Sequence, residues 1–360
     1  MLCPRCHRVY AGGDTHCAYD GTALTSGRRI DHVRIQGTRQ IGAILGGRFA
    51  VKGFIGRGGS ARVYLAEDVK TGDAVAVKML DPPWAHDRVA RDRFMREAEA
   101  ARTVKHPGTV EIRHVGARGD GAPFIVMEYL FGETLAASLD RTKLMELDIA
   151  LPVLREVCLA LEAAHAVGVL HRDVKPDNIF LVGEPGEPYA VKLVDFGFAK
   201  LRDTTITATG TAIGTAQYMS PEQCVADPAD PRSDIYALGV VAYRTLTGAM
   251  PFDATDTKDW LAWHLVAPPI PARARIPDID SDVEAFLEKC LRKDPVARYA
   301  SITEVIADLE AIADGRPTLA SQEEPPALDA YVPQSQFSKL VAKALYKRVG
   351  VPAPTYLGNK

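Results

Sequence analysis

The sequence lacks the features that mark secreted, membrane-spanning and nucleic-acid-binding proteins. No apolar run approaches the ~18 residues of a membrane span, and the start, Met1-Leu2-Cys3-Pro4-Arg5, lacks the apolar core of a secretory signal. Lys and Arg (43) nearly balance Asp and Glu (46), so the net charge of −3 argues against a protein whose main task is binding nucleic acid. Six cysteines in 360 residues are too few for a disulfide framework, which favours a reducing, cytoplasmic location.

Half of the cysteines lie near the start of the chain, with the spacing of zinc knuckles. Three thiolates with a carboxylate or an imidazole can hold a tetrahedral Zn²⁺ ion. The candidate ligands are Cys3, Cys6, Cys17 and Asp20, with His7 and His16 as rivals of Asp20 for the fourth place. The spacing predicts a small zinc-ribbon-like module over residues 1–26, structural because so short a segment does not fold without a metal, and able to bind a partner protein. The alternative is a disordered tail with incidental cysteines.

Hydrophobic periodicity divides the rest of the chain into a β-rich part and a helical part. Alternating patterns predict five strands, over residues 49–55, 63–66, 74–79, 110–115 and 123–127, with one helix at 88–104. Helical patterns follow at 148–167, 233–247, 281–291 and 301–313. Residues 27–47 are expected to form a linker with a basic bias.

The tail, 316–360, contains a predicted amphipathic helix at 336–349. Its apolar stripe consists of Phe337, Leu340, Val341, Ala344 and Leu345, and its other side carries Lys339, Lys343, Lys347 and Arg348. Docking onto the preceding domain is the favoured interpretation. Binding to a membrane surface or to a partner is the alternative.

A glycine-rich segment, Gly56-Arg57-Gly58-Gly59-Ser60-Ala61-Arg62-Val63, lies between two predicted strands. Glycines let backbone N–H groups approach phosphate oxygens, although such a hairpin is as often only a turn. A dinucleotide site is disfavoured because a strand, not a helix, follows the glycines. Lys78 ends the next apolar strand and could neutralise phosphates if an anion held it. Glu97 on the following helix suits that role better than Glu99 does.

The decisive segment is His171-Arg172-Asp173-Val174-Lys175-Pro176-Asp177-Asn178, followed by Asp195-Phe196-Gly197. With the glycine-rich loop, the lysine strand and Ser220-Pro221-Glu222, these motifs have the order and spacing of protein kinases. Residues 48–315 therefore resemble the bacterial Ser/Thr kinases of eukaryotic type. The resemblance implies an α+β, bilobal kinase fold, with a five-stranded N-lobe carrying one helix and a mainly helical C-lobe, preceded by the zinc-ribbon-like module.

The resemblance also implies roles for single residues. Asp173 would accept or orient the substrate hydroxyl proton, and Lys175 would lie near the γ-phosphate, in a position similar to that in Ser/Thr-specific kinases. Asn178 and Asp195 would hold Mg²⁺, or Mn²⁺ in its place. The nucleotide-binding residues would be Ile55, Gly56, Gly58, Gly59, Ala61, Val63, Ala76, Lys78, Met127, Glu128 and Leu130.

Within this set, Lys78 paired with Glu97 would bind the α- and β-phosphates of ATP. By the same resemblance, Met127 would be the gatekeeper, and the backbones of Glu128 and Leu130 would form the hinge. Ala61 departs from the pattern because it replaces the third glycine of the loop. It adds a single methyl group, and activity is expected to survive it.

Several threonines lie between Asp195 and Ser220. Thr207 and Thr209 match the autophosphorylated positions of similar bacterial kinases, and Arg172 would bind the phosphate. The plain alternative is a polar surface loop. The resemblance further implies that Glu222 is buried against Arg298, and that Asp234 holds the backbone of the loop around Asp173.

The sequence thus predicts a Ser/Thr protein kinase that uses ATP and Mg²⁺, acts on protein substrates and activates itself by autophosphorylation. The alternative is a pseudokinase scaffold or a nucleotide-binding regulator. That alternative lacks its usual signature, since Lys78, Glu97, Asp173, Asn178 and Asp195 are all present.

Overall fold

The computed structural model describes residues 15–17, 22–23, 40–183, 189–196, 216–324, 330–354 and 357. The chain divides into two compact units. The first unit comprises Met1–Thr103 and Val110–Phe131, and the second comprises Val104–Thr109 and Gly132–Lys360.

The first unit is built on an antiparallel sheet with the strand order β1-β2-β3-β4-β6-β5. The strands are β1 (Ile44–Leu45), β2 (Phe49–Arg57), β3 (Ala61–Asp68), β4 (Ala74–Leu80), β5 (Ile112–Ala117) and β6 (Pro123–Glu128). Two helices, α1 (Pro82–Ala85) and α2 (Arg88–Thr103), lie between β4 and β5 in the chain. Apolar side chains alternate along the strands, so each face of the sheet carries its own buried cluster. One cluster contains Phe49, Tyr64, Val77 and Phe124, and the other joins Ala61, Leu80 and Ile125 to Phe94 and Ala98 of α2.

Two short elements of this unit escaped the sequence prediction of five strands and one helix. Strand β1 has only two residues and lies inside the predicted linker, where it pairs Ile44 with Ala50 and Leu45 with Phe49. Helix α1 has four residues and begins at a proline. Neither is long enough to show a hydrophobic period.

The second unit is mainly helical. Its helices are α3 (Leu135–Thr142), α4 (Leu147–Ala166), α5 (Pro221–Cys224), α6 (Pro231–Thr247), α7 (Thr257–Val266), α8 (Ser281–Cys290), α9 (Ile302–Ala313) and α10 (Gln336–Arg348). A small antiparallel sheet, with the order β7-β8-β9, is formed by β7 (Gly132–Thr134), β8 (Ile179–Val182) and β9 (Ala190–Leu193). Helix α6 is buried on nearly all sides, because α4, α8 and α9 all contact it. This central helix anchors the loop that precedes β8.

The tail helix α10 packs against α7. The contact buries Ser338, Ala342, Leu345 and Tyr346. Phe337 and Leu340, which the predicted apolar stripe included, are instead 48% and 66% exposed. The buried face of the helix is therefore rotated from the predicted one, and small side chains at Ser338 and Ala342 allow the close approach.

Polar contacts fix the tail at two points. The hydroxyl of Tyr331 donates to the buried carboxylate of Asp227 at 2.7 Å, and Arg348 bonds Asp259 at 2.9 Å and also Asp256. No helix among the residues placed by the structure has the length and apolarity to cross a membrane.

Candidate active site

The glycine-rich loop of the first unit is the hairpin between β2 and β3. The N–H of Gly58 donates to the carbonyl of Ala61 at 2.8 Å, which closes the turn. Both ends of the loop are fixed by Asp81, whose carboxylate lies 2.7 Å from Arg57 and 2.5 Å from Arg62.

Gly56 and Gly59 in this loop are not required by the packing of the protein itself. A Cβ placed on either glycine would meet no atom within 4 Å, and neither residue has a left-handed φ. The positions therefore leave open space beside the backbone, which is what an approaching phosphate group needs.

Ala61, which replaces the third glycine of the pattern, begins β3 and is 4% exposed. Its methyl group belongs to the buried cluster with Leu80, Phe94 and Ala98. The core of the first unit thus accommodates this side chain.

The ammonium group of Lys78 lies 3.7 Å from the carboxylate of Glu97 on α2, and both side chains are only about 15% exposed (15% and 14%). Glu99, the other candidate on this helix, instead faces Arg102 at 3.4 Å on the exposed surface. The register places Lys78 opposite Val63 on β3 and Ile125 on β6.

The same register brings the predicted adenine-binding side chains onto one face of the sheet. Ala76 pairs with Met127, and Val63 lies two pairs along, opposite Lys78. Because side chains two residues apart along a strand share a face, Val63, Ala76, Lys78 and Met127 lie on the same side. Ile55 packs with Leu65 and Ala74 on that side too. Glu128 ends β6 and Leu130 follows it closely.

In the second unit, the loop around Asp173 is held by Asp234 at the start of α6. The carboxylate of Asp234 accepts hydrogen bonds from the backbone N–H groups of His171 (2.9 Å) and Arg172 (2.7 Å), as the sequence predicted. It also bonds the Nε2 atom of His165 on α4 at 2.8 Å. Arg172 has a φ of 65°, a left-handed conformation that a non-glycine residue keeps only where the surroundings enforce it.

Three predicted catalytic side chains cluster within this loop. The ammonium group of Lys175 lies 3.1 Å from the carboxylate of Asp173. The side-chain nitrogen of Asn178 donates to the backbone carbonyl of Asp173 at 2.8 Å and to its carboxylate at 3.0 Å. Because the Asn178 nitrogen faces Asp173, the side-chain oxygen is the atom left for a cation.

Asp195 is tied to the same loop through its neighbour Val194. The N–H of Val194 donates to the carbonyl of Asn178 at 2.9 Å, and the Val194 carbonyl lies 3.1 Å from Nε2 of His171. Asp195 itself has a φ of 59°. The backbone therefore holds the segments that carry Asn178 and Asp195 next to each other.

His171 links these segments, a role that the motif alone did not reveal. Its Nε2–H faces the Val194 carbonyl, so its Nδ1 accepts from the N–H of Asp173 at 3.3 Å. Burial lowers the pKa of His171, which favours the neutral ring that this arrangement needs. The ring also contacts that of Phe196 at a tilt of 45°, with centroids 4.7 Å apart.

Glu222 and Arg298 form the predicted buried pair. Two guanidinium nitrogens of Arg298 donate to the two carboxylate oxygens of Glu222 at 2.8 and 2.9 Å. Burial opposes ionisation of Glu222, but Arg298 and the hydroxyl of Ser233 outweigh it, so the pKa of Glu222 lies below its usual value.

Some predicted site residues lie outside the described ranges: Gly197, the threonines Thr207 and Thr209, and the candidate zinc ligands Cys3, Cys6 and Asp20, with the rival His7. Cys17 is buried, and its N–H donates to the carbonyl of Thr22 at 2.7 Å. Within the portion of the chain that the structure describes, no group of three or more His, Cys, Asp or Glu side chains is arranged to hold a metal ion.

Comparisons with known proteins agree on one family. The family described as "Protein kinase domain" matches residues 49–308. The serine/threonine-protein kinase PknA of Mycobacterium tuberculosis is 36% identical over 313 residues, which cover 85% of this chain and 71% of PknA. The serine/threonine-protein kinases pkn3 and Pkn1 of Myxococcus xanthus are 36% and 40% identical over 76% and 71% of this chain.

This chain spans 51% of pkn3 and 37% of Pkn1, so it matches about half or less of these longer relatives. Among solved structures, the kinase domain of Mycobacterium tuberculosis PknI superposes with a TM-score of 0.60 and 27% identity. The match covers 76% of this chain and 99% of that domain.

Proposed function

Because the chain belongs to the protein kinase domain family, we propose that it is an active serine/threonine kinase that transfers the γ-phosphate of ATP to protein hydroxyl groups. The observation that carries the proposal is the cluster of Asp173, Lys175 and Asn178, with contacts of 3.1 Å or less between them. Phosphoryl transfer needs positioned charges more than covalent chemistry, and this cluster supplies them.

The first unit would supply nucleotide binding. Lys78, held by Glu97, offers its ammonium group to the α- and β-phosphates, and the open space at Gly56 and Gly59 lets backbone N–H groups approach them. On the face that carries Lys78, the apolar side chains of Val63, Ala76 and Met127 suit the adenine ring. Glu128 and Leu130 would bind the ring edge through their backbones.

The second unit would supply the transfer chemistry. Asp173 accepts the proton of the substrate hydroxyl, and Lys175 beside it offers positive charge to the migrating phosphoryl group. The oxygens of Asn178 and Asp195 are the hard donors that Mg²⁺ or Mn²⁺ prefers, so these two residues would hold the cation. A bound cation neutralises the phosphate charge.

The rival function is a pseudokinase that binds nucleotide without transferring phosphate. The test incubates the purified chain with Mg²⁺, radiolabelled ATP and a generic protein substrate, and compares it with Asp173→Asn. Asp314→Asn is the matched control, because Asp314 is exposed and pairs with the surface residue Arg316 at 2.9 Å. We expect the wild type and the control to label the substrate and Asp173→Asn to lose that activity. Equal inertness of all three proteins would favour the scaffold.

We also propose self-activation by autophosphorylation at Thr207 or Thr209. The support is the position of Arg172, directly before Asp173, since a phosphothreonine adds about −1.5 to −2 charges that a guanidinium can bind. Phosphopeptide mapping after incubation with Mg-ATP should find phosphate at one of these threonines in the wild type and none in Asp173→Asn. Phosphate absent from both threonines of an active wild type would contradict the proposal.

The layout proposed around the kinase region is a zinc module at 1–26, a linker at 27–47, a catalytic domain at 48–315 and a tail at 316–360. The zinc proposal stands on the spacing of Cys3, Cys6, Cys17 and Asp20, and any partner of the module would bind there. Metal analysis should find one zinc per chain, and a Cys3→Ser/Cys6→Ser variant should lose it. An equal zinc content in both proteins would refute the site.

A further inference from the structure

Gln223, on the short helix α5, joins that helix to the catalytic loop through its side-chain amide. Its oxygen accepts hydrogen bonds from the N–H of Ser220 (3.0 Å) and from the Ser220 hydroxyl (3.2 Å). Its nitrogen donates to the backbone carbonyl of Arg172 at 3.0 Å. Since two donors face the oxygen, the orientation of the amide is determined, and the nitrogen must be the atom that faces Arg172.

The Arg172 carbonyl belongs to the peptide that leads into Asp173. The other end of that peptide, the Asp173 N–H, bonds Nδ1 of His171 at 3.3 Å. The preceding N–H of Arg172 is held by Asp234 at 2.7 Å. Gln223 thus holds a backbone group of this turn that differs from those bound by Asp234. The group belongs to Arg172, whose φ of 65° is a left-handed conformation that costs free energy in a non-glycine residue.

Helix α5 is a firm support for such a contact. The neighbouring Glu222 is bound by Arg298 and by the hydroxyl of Ser233, whose oxygen lies 2.6 Å from the carboxylate. Pro221, Glu222 and Cys224 are all buried. A displacement of Gln223 would therefore have to break buried contacts.

We infer that Gln223 is a positioning residue, which keeps Asp173 in the geometry for proton acceptance; the inference rests on the proposed kinase function. Glutamine fits the position because one end of its amide accepts and the other donates. In Gln223→Glu a carboxylate oxygen, which carries no hydrogen, would face the Arg172 carbonyl and repel it. In Gln223→Ala the bond is lost without the repulsion, so its effect should be the smaller one.

The test measures steady-state kinetics of the wild type, Gln223→Glu and Gln223→Ala, at matched phosphorylation checked by mass spectrometry. Because a misplacement of about 1 Å can cost about 10²-fold in rate, we expect kcat to fall roughly ten- to hundredfold in Gln223→Glu and several-fold in Gln223→Ala. The KM for ATP should stay within about twofold, since no contact to nucleotide is removed.

Gln322→Ala is the matched control. The Gln322 amide also donates to a backbone carbonyl of the second unit, that of Thr318, at 3.1 Å. Its loss should leave kcat unchanged. Melting temperatures report whether each variant is folded, and amide hydrogen exchange of residues 171–178 reports the loop directly, with faster exchange expected in Gln223→Glu.

The outcomes distinguish the positioning role of Gln223 from the proposed kinase activity. Wild-type kcat in both Gln223 variants would overturn the inference, as would a fall in kcat no larger than the fall in folded fraction. An inert wild type would contradict the proposed function instead. In that case the exchange rates still decide whether Gln223 holds the loop, and unchanged exchange in a folded Gln223→Glu would overturn the inference.

Discussion

Removing either charge of the Glu222–Arg298 pair should destabilise the second unit by about 3–5 kcal/mol. The side chains are 3% and 0% exposed, so a charge left without its partner would stay buried rather than gain water. Glu222→Gln keeps the shape of the side chain and removes its charge, which isolates that effect.

The contacts of Arg298 predict which of the two single variants loses more stability. Besides Glu222, its guanidinium donates to the backbone carbonyls of Arg292 (2.7 Å), Arg232 (2.9 Å) and Lys293 (2.9 Å). Arg298→Met leaves these carbonyls and the Glu222 carboxylate without their donor, so its cost should lie at the upper end of the range. Glu222→Gln should lie at the lower end.

Urea unfolding, followed by circular dichroism, measures the change in the free energy of unfolding. In a thermal scan the melting temperature should fall by about 6–20 °C, at roughly 2–4 °C per kcal/mol. The double variant Glu222→Leu/Arg298→Met should cost less than the sum of the single changes, since no charge is left buried. Arg316→Met, which removes an exposed pair with Asp314, should cost under ~1 kcal/mol. A cost of Glu222→Gln no larger than that of this surface control would contradict the penalty expected for a buried, unpaired charge.

Three further predictions concern acid stability, the tail and the lysine of the first unit. Burial and a neighbouring lysine lower the pKa of His264 to about 3, so the unfolded state takes up a proton first as pH falls below about 6.5. Between pH 7 and pH 5, the wild type should lose about 2 kcal/mol of unfolding free energy relative to His264→Gln, as measured by urea titration at each pH. Tyr331→Phe removes the donor to the buried Asp227 carboxylate and should cost about 1–3 kcal/mol in the same assay; an unchanged midpoint would show that the tail is not fixed there. Glu97→Gln should lower kcat/KM for ATP about tenfold, equal to ~1.4 kcal/mol, while Glu99→Gln should not change it.

The helix α4 and the tail helix were predictable from periodicity alone, whereas α7 (Thr257–Val266) was not predicted. Helix α4 was predicted at 148–167 and spans Leu147–Ala166, and the tail helix was predicted at 336–349 and spans Gln336–Arg348. Strand β5 was predicted two residues early, at 110–115 rather than Ile112–Ala117. Such slips arise where an apolar run continues past the hydrogen-bonded ladder, because burial and strand pairing do not end at the same residue.

The candidate site was predictable where its residues are close in sequence. Asp173, Lys175 and Asn178 belong to one short motif, so their contacts follow from a single turn of chain. Gln223 could not be found in this way. A polar side chain in a four-residue helix carries no periodic signal, and its partner, the Arg172 carbonyl, is a backbone atom that no residue pattern encodes.

The tail helix shows why an apolar stripe predicts docking without fixing its orientation. The stripe through Phe337, Leu340 and Leu345 is wide enough to allow several rotations about the helix axis. The rotation that is observed places Arg348 against Asp259, at 2.9 Å, and buries the small side chains of Ser338 and Ala342. Phe337 and Leu340 are left outside. The sequence pattern therefore predicts that the helix is amphipathic, whereas the side that is buried depends on the surface of α7, which includes the partner of Arg348.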